Sequence, residues 1–328
     1  MTDTGVTIRE FSRDDAIRVL PRRSPSAHKW GVGGLLIIAG SPGYVGAAAL
    51  CAMAAGRAGA GIVNLAVHRA LVSSITPVVP EVGFSILPEG DLSSSGKRVL
   101  DALEKKAGKC HAFVVGPGLG DDEYALDLMT TLLGKTERAS LSSLGFGTPR
   151  PQPAEATAEQ HSLLAYNRPI LIDADGLNAL AKIEDWWSHV PEHLLILTPH
   201  VGEFSRLMDM SPEDVLASPE RAAVAAANRF RQVVLLKGAP TIVTDGRVVF
   251  RAADSPPSLA TGGSGDVLSG TIGALLAQGL SLVDAANLGV FAGARAARRL
   301  ELELGTLGLV ASDLPHAIAI ELAALERE

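Results

Sequence analysis

The residues of this 328-residue chain that are best suited to chemistry lie in one glycine-rich stretch, from Ala260 to Gly270. The stretch places a single carboxylate, that of Asp266, among four glycines and three hydroxyl residues. An apolar pattern of helical period follows at once and ends at Gly279, a residue type common just after a helix. We therefore predict that the glycines lie at a helix N-terminus, where unpaired N–H groups and the positive end of the dipole bind anions.

Asp266 is the residue of this loop that a simple anion site does not explain, because a carboxylate repels phosphate. A carboxylate beside a phosphate site suits a base that takes a proton from an attacking hydroxyl group. The alternative is that Asp266 only caps the helix, as aspartate often does. The loop by itself leaves both roles open.

Polar residues also follow several continuously apolar runs, which are typical of parallel strands covered on both faces. Gly118, Asp173, His200 and Lys237 all stand at or just after the ends of such runs. Because ligands bind at the carboxyl ends of parallel strands, we predict that these residues converge with Asp266 on one site. Taken singly, the lysine is more often a surface residue and the histidine a loop residue. Together they fit phosphoryl transfer, with a lysine and amides for phosphate and a carboxylate base.

Three further features stand at the same predicted strand ends. Asp175 follows Asp173 closely, and the two acids are candidates to hold Mg²⁺. Asn178 adds an amide that either binds ligand or caps the next helix. Gly40, Gly43 and Gly46 follow the first buried run, but they match neither the dinucleotide fingerprint nor a P-loop. That loop is either a ligand-binding turn or only a tight turn.

Alternating strand-like and helix-like segments predict an α/β fold with a central, mostly parallel sheet. Strands are predicted over 35–39, 62–67, 112–115, 170–172, 194–197, 233–236, 241–244 and 247–250, with a hairpin region somewhere in 68–111. Helices are predicted over 47–58, 96–106, 123–133, 281–299 and 312–327, as well as after the glycine loop and after Ser211-Pro212. Asp245-Gly246 predicts a type I′ turn between the last two strands. We expect residues 1–28 to form an N-terminal arm or short helix, and 134–160 a flexible insertion.

Composition excludes several classes of partner. The net charge of −7 and an aromatic content of 4% argue against nucleic acid and anionic membranes. No signal peptide and no run long enough to span a bilayer is recognised, so a cytoplasmic protein is expected. Cys51 and Cys110 have no metal-type spacing and are predicted to be buried, unpaired thiols.

The run Gly262-Gly263-Ser264-Gly265-Asp266 resembles the anion-hole signature of the ribokinase-like superfamily. Further motifs narrow the resemblance to the ADP/ATP-dependent NAD(P)H-hydrate dehydratases. These motifs are Ala39-Gly40-Ser41 with Tyr44-x-Gly46-Ala47, Gly56 through Gly61, Gly116-Pro117-Gly118-Leu119-Gly120, Asp173 through Asn178, Thr198-Pro199-His200-x-Gly202-Glu203 and Lys237-Gly238. The resemblance extends roughly from Lys29 to Leu322. It implies one ribokinase-like domain over residues 1–328, a three-layer α/β/α sandwich.

The resemblance implies an enzyme that repairs nicotinamide cofactors. Its substrate would be the S-form hydrate of NADH or NADPH, in which water has added across C5=C6 of the nicotinamide ring. ADP or ATP, with Mg²⁺, would phosphorylate the C6 hydroxyl group, and loss of phosphate would restore NAD(P)H. Because hydroxide leaves poorly and phosphate leaves well, a kinase-type site can drive this dehydration. The enzyme would be a carbon–oxygen lyase.

The resemblance also assigns roles to individual residues. Asp266 would be the base and would contact the hydrate together with Ala47, Gly118 and His200. The residues that would bind the nucleotide are Lys237, Gly238, Ala239, Pro240, Thr241, Gly262, Gly263 and Gly265. No metal ligand is assigned. The family usually carries an asparagine shortly before the glycine loop, where this chain has Ser255-Pro256-Pro257-Ser258.

Members of this family form homo-oligomers, so self-association is expected. No epimerase domain precedes the dehydratase region, so a separate NAD(P)H-hydrate epimerase is the expected functional partner. One alternative is a kinase of the same superfamily that acts on hydroxymethylpyrimidine or hydroxyethylthiazole. Another is a nucleotide-binding protein without activity. The sequence decides neither between ADP and ATP nor between the hydrates of NADH and NADPH.

Overall fold

The structure, a computed structural model, describes residues 6–90, 92, 96–134 and 162–328. Its strands are β1 Thr7–Glu10, β2 Gly34–Ile38, β3 Ile62–Val67, β4 Gly83–Ile86, β5 Ala112–Val115, β6 Ile170–Ile172, β7 Leu195–Leu197, β8 Val233–Leu236, β9 Ile242–Thr244 and β10 Val248–Arg251. They form a ten-stranded sheet in the order β1-β10-β9-β8-β7-β6-β5-β2-β3-β4. Only β9 runs antiparallel to its neighbours, β8 and β10, so the predicted mostly parallel sheet is confirmed.

Helices cover both faces of the sheet. They are α1 Arg13–Val19, α2 Lys29–Val32, α3 Val45–Arg57, α4 Val72–Ile75, α5 Gly96–Ala107, α6 Glu123–Leu132, α7 Asp175–Leu180, α8 Val201–Met208, α9 Pro212–Ala217, α10 Pro219–Phe230, α11 Ser264–Ala277, α12 Leu282–Gly308 and α13 Leu314–Glu326. Ser211 caps α9 with Pro212 at its start, and Gly279 follows α11 with φ 94°, as their positions in the sequence predict.

The apolar runs of the strands supply two cores at once. Leu36 and Ile38 of β2 pack on one face against α5, α6, α8 and α10. Leu35 and Ile37 pack on the other face against α3, α11 and α12. Because successive strand residues point to opposite faces, a strand buried on both faces must be apolar throughout. This alternation produces the three-layer α/β/α arrangement expected from the sequence.

Helix α11 packs unusually close to α3 and the sheet because its glycines leave no room for side chains. A Cβ atom at Gly270 would lie 2.0 Å from the backbone oxygen of Cys51. A Cβ atom at Gly273 would lie 2.4 Å from Cγ2 of Val114. This contact positions the first turn of α11, and with it Asp266, at the carboxyl edge of the sheet.

The hairpin of β9 and β10 is confirmed, but its turn is not type I′. That turn needs a positive φ at both central residues. Gly246 has φ 90°, whereas Asp245 is not among the residues with positive φ. The Asp245 carboxylate instead accepts hydrogen bonds from the backbone N–H groups of Arg247 (2.9 Å) and Val248 (3.1 Å). A side chain that bonds its own turn has replaced the left-handed conformation.

Two other expectations need correction. The region 68–111 holds no hairpin among its described residues, because β4 pairs parallel to β3 and is reached through α4. The N-terminal arm contains the expected short helix, α1, but it also adds the edge strand β1, which pairs parallel to β10. A strand with all four residues exposed has no apolar alternation to reveal it. Apart from Gly134, the predicted insertion over 134–160 lies outside the described residues.

Cys51 and Cys110 are buried and unpaired, as predicted. In the part of the chain that the structure describes, no helix is both long enough and apolar enough to cross a bilayer.

Candidate active site

The glycine loop begins helix α11, as the sequence predicts. Gly263 is the residue before the helix and has φ 91°, a backbone conformation that disfavours any side chain. A Cβ atom there would also lie 2.7 Å from Cδ1 of Leu50 in α3. The loop therefore needs glycine at this position both for its conformation and for its contact with α3.

Asp266 lies in the first turn of α11 and is half-buried. It does not serve as the cap, because Gly263, which has no side chain, holds that position. Among the described residues, none donates a hydrogen bond to its carboxylate. Burial raises the pKa of Asp266 to about 7, assisted by the negative charge of Asp173 and opposed by Lys237. A carboxylate with such a pKa accepts protons readily near neutral pH.

A buried ion pair lies beside this acid. The Nζ atom of Lys237 donates a hydrogen bond to Oδ1 of Asp173 at 2.7 Å, and the Oγ atom of Ser269 donates one to Oδ2 at 2.6 Å. Burial lowers the pKa of Lys237, but the carboxylates of Asp173 and Glu203 outweigh it and raise that pKa. The lysine is therefore a fixed positive charge next to the glycine loop. A Cβ atom at Gly265 would lie 3.5 Å from its Nζ atom.

His200 has a structural role that the sequence did not suggest. Its Nδ1 atom accepts hydrogen bonds from the N–H groups of Gly202 (2.9 Å) and Glu203 (3.2 Å), so it caps α8. The Glu203 carboxylate accepts the N–H group of His200 at 2.8 Å and lies 3.7 Å from Nζ of Lys237. The imidazole ring is 54% exposed, so it is open to a ligand while its position is fixed by the cap.

Gly118 and Ala47 come together from separate loops. Gly118 has φ 64°, and a Cβ atom there would lie 2.7 Å from the Cβ atom of Ala47. The loops after β2 and β5 are also joined by a hydrogen bond from the Gly40 N–H group to the Pro117 carbonyl at 2.8 Å. Gly40 therefore belongs to a tight turn at the edge of the site.

A cavity of about 530 Å³ opens beside the glycine loop. It is lined by five of the residues predicted to bind nucleotide, namely Lys237, Gly238, Ala239, Thr241 and Gly265. Pro240, which follows a cis peptide bond, Gly262 and Gly263 are not among its lining residues. Ser255, Pro256 and Pro257 form one wall, at the place where the family usually has its asparagine.

Part of the wall of this cavity was not predicted from the sequence. Val290, Gly293, Leu314 and Ile318 of α12 and α13 line it. No chemical signal marks these residues, because apolar and glycine positions within alanine-rich helices also suit ordinary helix packing.

The acids expected to hold Mg²⁺ do not form a cage for it. Asp173 already binds Lys237 and Ser269, and Asp175 accepts the N–H group of Gly120 at 2.8 Å. In the described ranges, no three histidine, cysteine, aspartate or glutamate side chains are grouped as metal ligands. The described residues thus fit a Mg²⁺ ion bound mainly through water and substrate phosphates better than a closed protein site.

The doubly covered parallel sheet, together with a glycine loop and an acid at the start of a helix, defines a ribokinase-like protein. The structure is similar to that of a ribokinase-like superfamily protein from Enterococcus faecalis, with a TM-score of 0.73 and 20% identity over 98% of this chain and 96% of that one. It is also similar to the ADP/ATP-dependent NAD(P)H-hydrate dehydratase from Bacillus subtilis co-crystallised with ATP/Mg²⁺, with a TM-score of 0.72 and 23% identity over 98% of each chain. At these identities, both likenesses establish the fold.

Sequence comparison shows the family. The NAD(P)H-hydrate dehydratase family profile matches residues 35–319. The bifunctional NAD(P)H-hydrate repair enzyme Nnr of Salinibacter ruber is 37% identical over 311 residues, which are 92% of this chain and 50% of that protein. This chain therefore belongs to the NAD(P)H-hydrate dehydratase family. It spans about half the length of the curated relatives it matches. The predicted family is confirmed. The alternative of a kinase that acts on hydroxymethylpyrimidine or hydroxyethylthiazole is less supported.

Proposed function

We propose that this chain dehydrates the S-form hydrate of NADH or NADPH, with ADP or ATP as the phosphoryl donor. The observation that carries the proposal is the half-buried Asp266 carboxylate in the first turn of α11, with its pKa raised to about 7 beside Lys237. This is the arrangement needed to take a proton from an alcohol while the amides of a helix start hold phosphate.

In the first step, Asp266 takes the proton of the C6 hydroxyl group of the hydrate. The hydroxyl oxygen forms a bond to the terminal phosphorus of the nucleotide, and the bond from that phosphorus to the leaving phosphate oxygen breaks. In the second step, C5 loses a proton and the C6–O bond breaks, so phosphate leaves and C5=C6 returns. Lys237 and the N–H groups around Gly265 would stabilise negative charge on the transferred group.

The cavity beside the glycine loop suits the nucleotide. Lys237, Gly238 and Thr241 contribute polar groups to its lining, and Leu314 and Ile318 contribute apolar side chains. Sites of this kind hold the nucleobase of a ligand against apolar side chains and orient the ligand through a few polar groups. The likeness to the B. subtilis enzyme co-crystallised with ATP/Mg²⁺ supports a nucleotide co-substrate. Mg²⁺ would neutralise charge on the phosphates, and its requirement stays a prediction.

Filling this cavity should block the nucleotide without unfolding the protein. Among the described residues, no atom outside this stretch of its own helix lies within 4 Å of a Cβ atom built at Gly293, which lines the cavity. We expect Gly293→Leu to raise the KM for ADP about tenfold or more, because a leucine side chain occupies space that the nucleobase of ADP needs. Gly56→Leu is the matched control, since Gly56 also lies in a helix and its Cβ position likewise has no described atom within 4 Å beyond its own stretch of helix. Equal KM values in the two variants would place the nucleotide elsewhere.

A product assay tests the proposed function directly. Purified protein with Mg²⁺, ADP and the S-form hydrate of NADH should restore the 340 nm absorbance that is characteristic of the reduced nicotinamide ring. The same protein should leave hydroxyethylthiazole and hydroxymethylpyrimidine unphosphorylated. Phosphorylation of either alcohol without any recovery of NADH would favour the kinase alternative. Parallel reactions with ATP and with the hydrate of NADPH would settle the donor and the cofactor.

The wider context of the reaction stays a prediction. Homo-oligomer formation and a cytoplasmic location rest on the family resemblance and the sequence, and the expectation of a separate epimerase is not confirmed. The curated relatives carry the name of a bifunctional repair enzyme, and this chain matches about half of their length.

A further inference from the structure

Arg206, on helix α8, lies beside His200 at the carboxyl edge of the sheet. The Arg206 side chain is exposed. A Cβ atom built at Gly202 would lie 3.0 Å from Cε1 of His200 and 3.9 Å from one terminal nitrogen (NH1) of the Arg206 guanidinium. The arginine is therefore a neighbour of a residue that the proposed function assigns to the hydrate.

The Arg206 side chain is held in place before any ligand arrives. Its Nε and second terminal nitrogen both donate to Oδ1 of Asn178, at 3.0 Å and 2.8 Å. The Nδ2 atom of Asn178 lies 3.4 Å from Oδ1 of Asp175, whose other oxygen accepts the N–H group of Gly120 at 2.8 Å. These bonds connect the loop after β5, helix α7 and helix α8. They leave the first terminal nitrogen of Arg206 without a hydrogen bond to any other described residue.

This edge of the sheet carries an excess of negative charge. Asp266 interacts with the charges of Asp173 and Asp175, and Glu203 lies 3.7 Å from Lys237. Lys237, the cation among these groups, is already hydrogen-bonded to Asp173. A dinucleotide brings two more negative charges in its pyrophosphate, so its approach needs a cation that is not already neutralised. A guanidinium group suits phosphate because its planar array of donors matches phosphate oxygens.

We propose that Arg206 binds the pyrophosphate of the hydrated dinucleotide and so sets the affinity for this substrate. The inference rests on the proposed function, and it adds a substrate contact to the same site. Asn178 is a positioning residue in this scheme, since it holds the guanidinium without touching substrate. The sequence left Asn178 as a ligand or a helix cap, and the structure assigns it this third role.

The test is steady-state kinetics of Arg206→Gln, with each substrate varied in turn. Loss of a charge-assisted hydrogen bond should raise the KM for NADH hydrate about 10- to 100-fold. The KM for ADP should stay within about twofold of wild type and kcat within about threefold. In this proposal Arg206 contacts neither ADP nor the reacting atoms. Arg206→Lys keeps the positive charge but loses the planar array of guanidinium donors. Its KM for NADH hydrate should therefore lie between those of wild type and Arg206→Gln.

Arg231→Gln is the matched control. Arg231 is also an exposed arginine with a partner, Glu192 at 2.8 Å, but it precedes β8 at the opposite edge of the sheet. The KM values of Arg231→Gln for ADP and for NADH hydrate should match those of wild type. Unfolding temperatures of all variants should agree with wild type, which separates a substrate contact from a loss of folding.

The hydrates of NADH and NADPH distinguish the phosphate that Arg206 contacts. The pyrophosphate is common to both, so Arg206→Gln should raise both KM values by a similar factor. A rise confined to NADPH hydrate would assign the arginine to the 2′-phosphate and overturn the proposal, as would unchanged values for both. An active wild type with an unaffected variant defeats only this inference. A wild type that forms no NADH defeats the proposed function as well.

Discussion

Asp266→Asn should lower kcat about a thousandfold, while the Kd for ADP stays close to that of wild type. The amide has the shape of the carboxylate but cannot take the proton that the proposed mechanism transfers to Asp266. Asp121→Asn is the matched control, because Asp121 is an exposed acid paired with Lys182 at 2.5 Å and has no assigned role in the reaction. Turnover of Asp266→Asn near that of wild type would remove Asp266 from the mechanism.

The pH dependence gives the same prediction a second measurement. The base must be ionised, and the pKa of Asp266 is raised to about 7 by burial and by Asp173. The wild-type kcat/KM should therefore fall tenfold per pH unit below about pH 7 and level off above it. The residual kcat/KM of Asp266→Asn should not decrease in this way at low pH. A decrease with the same midpoint in both proteins would assign the titration to another group.

Stability should change in the opposite direction to activity. A raised folded-state pKa means that the folded protein holds a proton which the unfolded chain releases, so this group destabilises the protein increasingly as pH rises from about 4 to about 7. Above pH 7 the ionised Asp266 carboxylate lowers the free energy of unfolding by its full amount. Asp266→Asn removes this charge, so the free energy of unfolding of the variant by urea at pH 8 should equal or exceed that of wild type. A less stable variant would mean that its lost activity reflects damage to the fold.

Lys237→Met should have the largest effect on stability, lowering the free energy of unfolding by about 3 kcal/mol or more at pH 8. The Asp173 side chain is 1% exposed, and without the lysine the hydrogen bond from Ser269 is the one that the described side chains still donate to its buried charge. A charge that is buried without its partner cation costs more than the ion pair did, and this is the source of the expected loss of stability.

Two variants provide controls for the lysine. Lys182→Met breaks an ion pair in which both side chains are largely exposed, 48% and 65%, and should cost less than about 1 kcal/mol at pH 8. Lys237→Met combined with Asp173→Asn removes both charges and should be more stable at pH 8 than Lys237→Met alone. Urea unfolding at pH 8 measures each effect. A double variant no more stable than Lys237→Met alone would contradict a buried, uncompensated Asp173 charge.

Local sequence determined the elements of this protein and the position of several residues of the candidate site along the chain. The apolar run ending at Lys237 and the glycine loop before Asp266 are local patterns, and the structure contains the strand and the helix start that they predict. Parallel strands bring their carboxyl ends together, so Asp173 and Lys237 could be placed on one edge without coordinates. The family was likewise recognisable from short motifs and is confirmed by the profile match.

Tertiary structure alone decided the features that depend on contacts between distant segments. The cavity wall at Gly293 and Ile318 exists because α12 and α13 pack beside the glycine loop, and no local pattern encodes that contact. The bond between Arg206 and Asn178 joins side chains 28 positions apart, each of which suits a solvated helix surface. The pKa of Asp266 depends on burial and on the charge of Asp173, which lies 93 positions earlier in the chain. Burial and electrostatics act through space, so they are fixed only when the chain has folded.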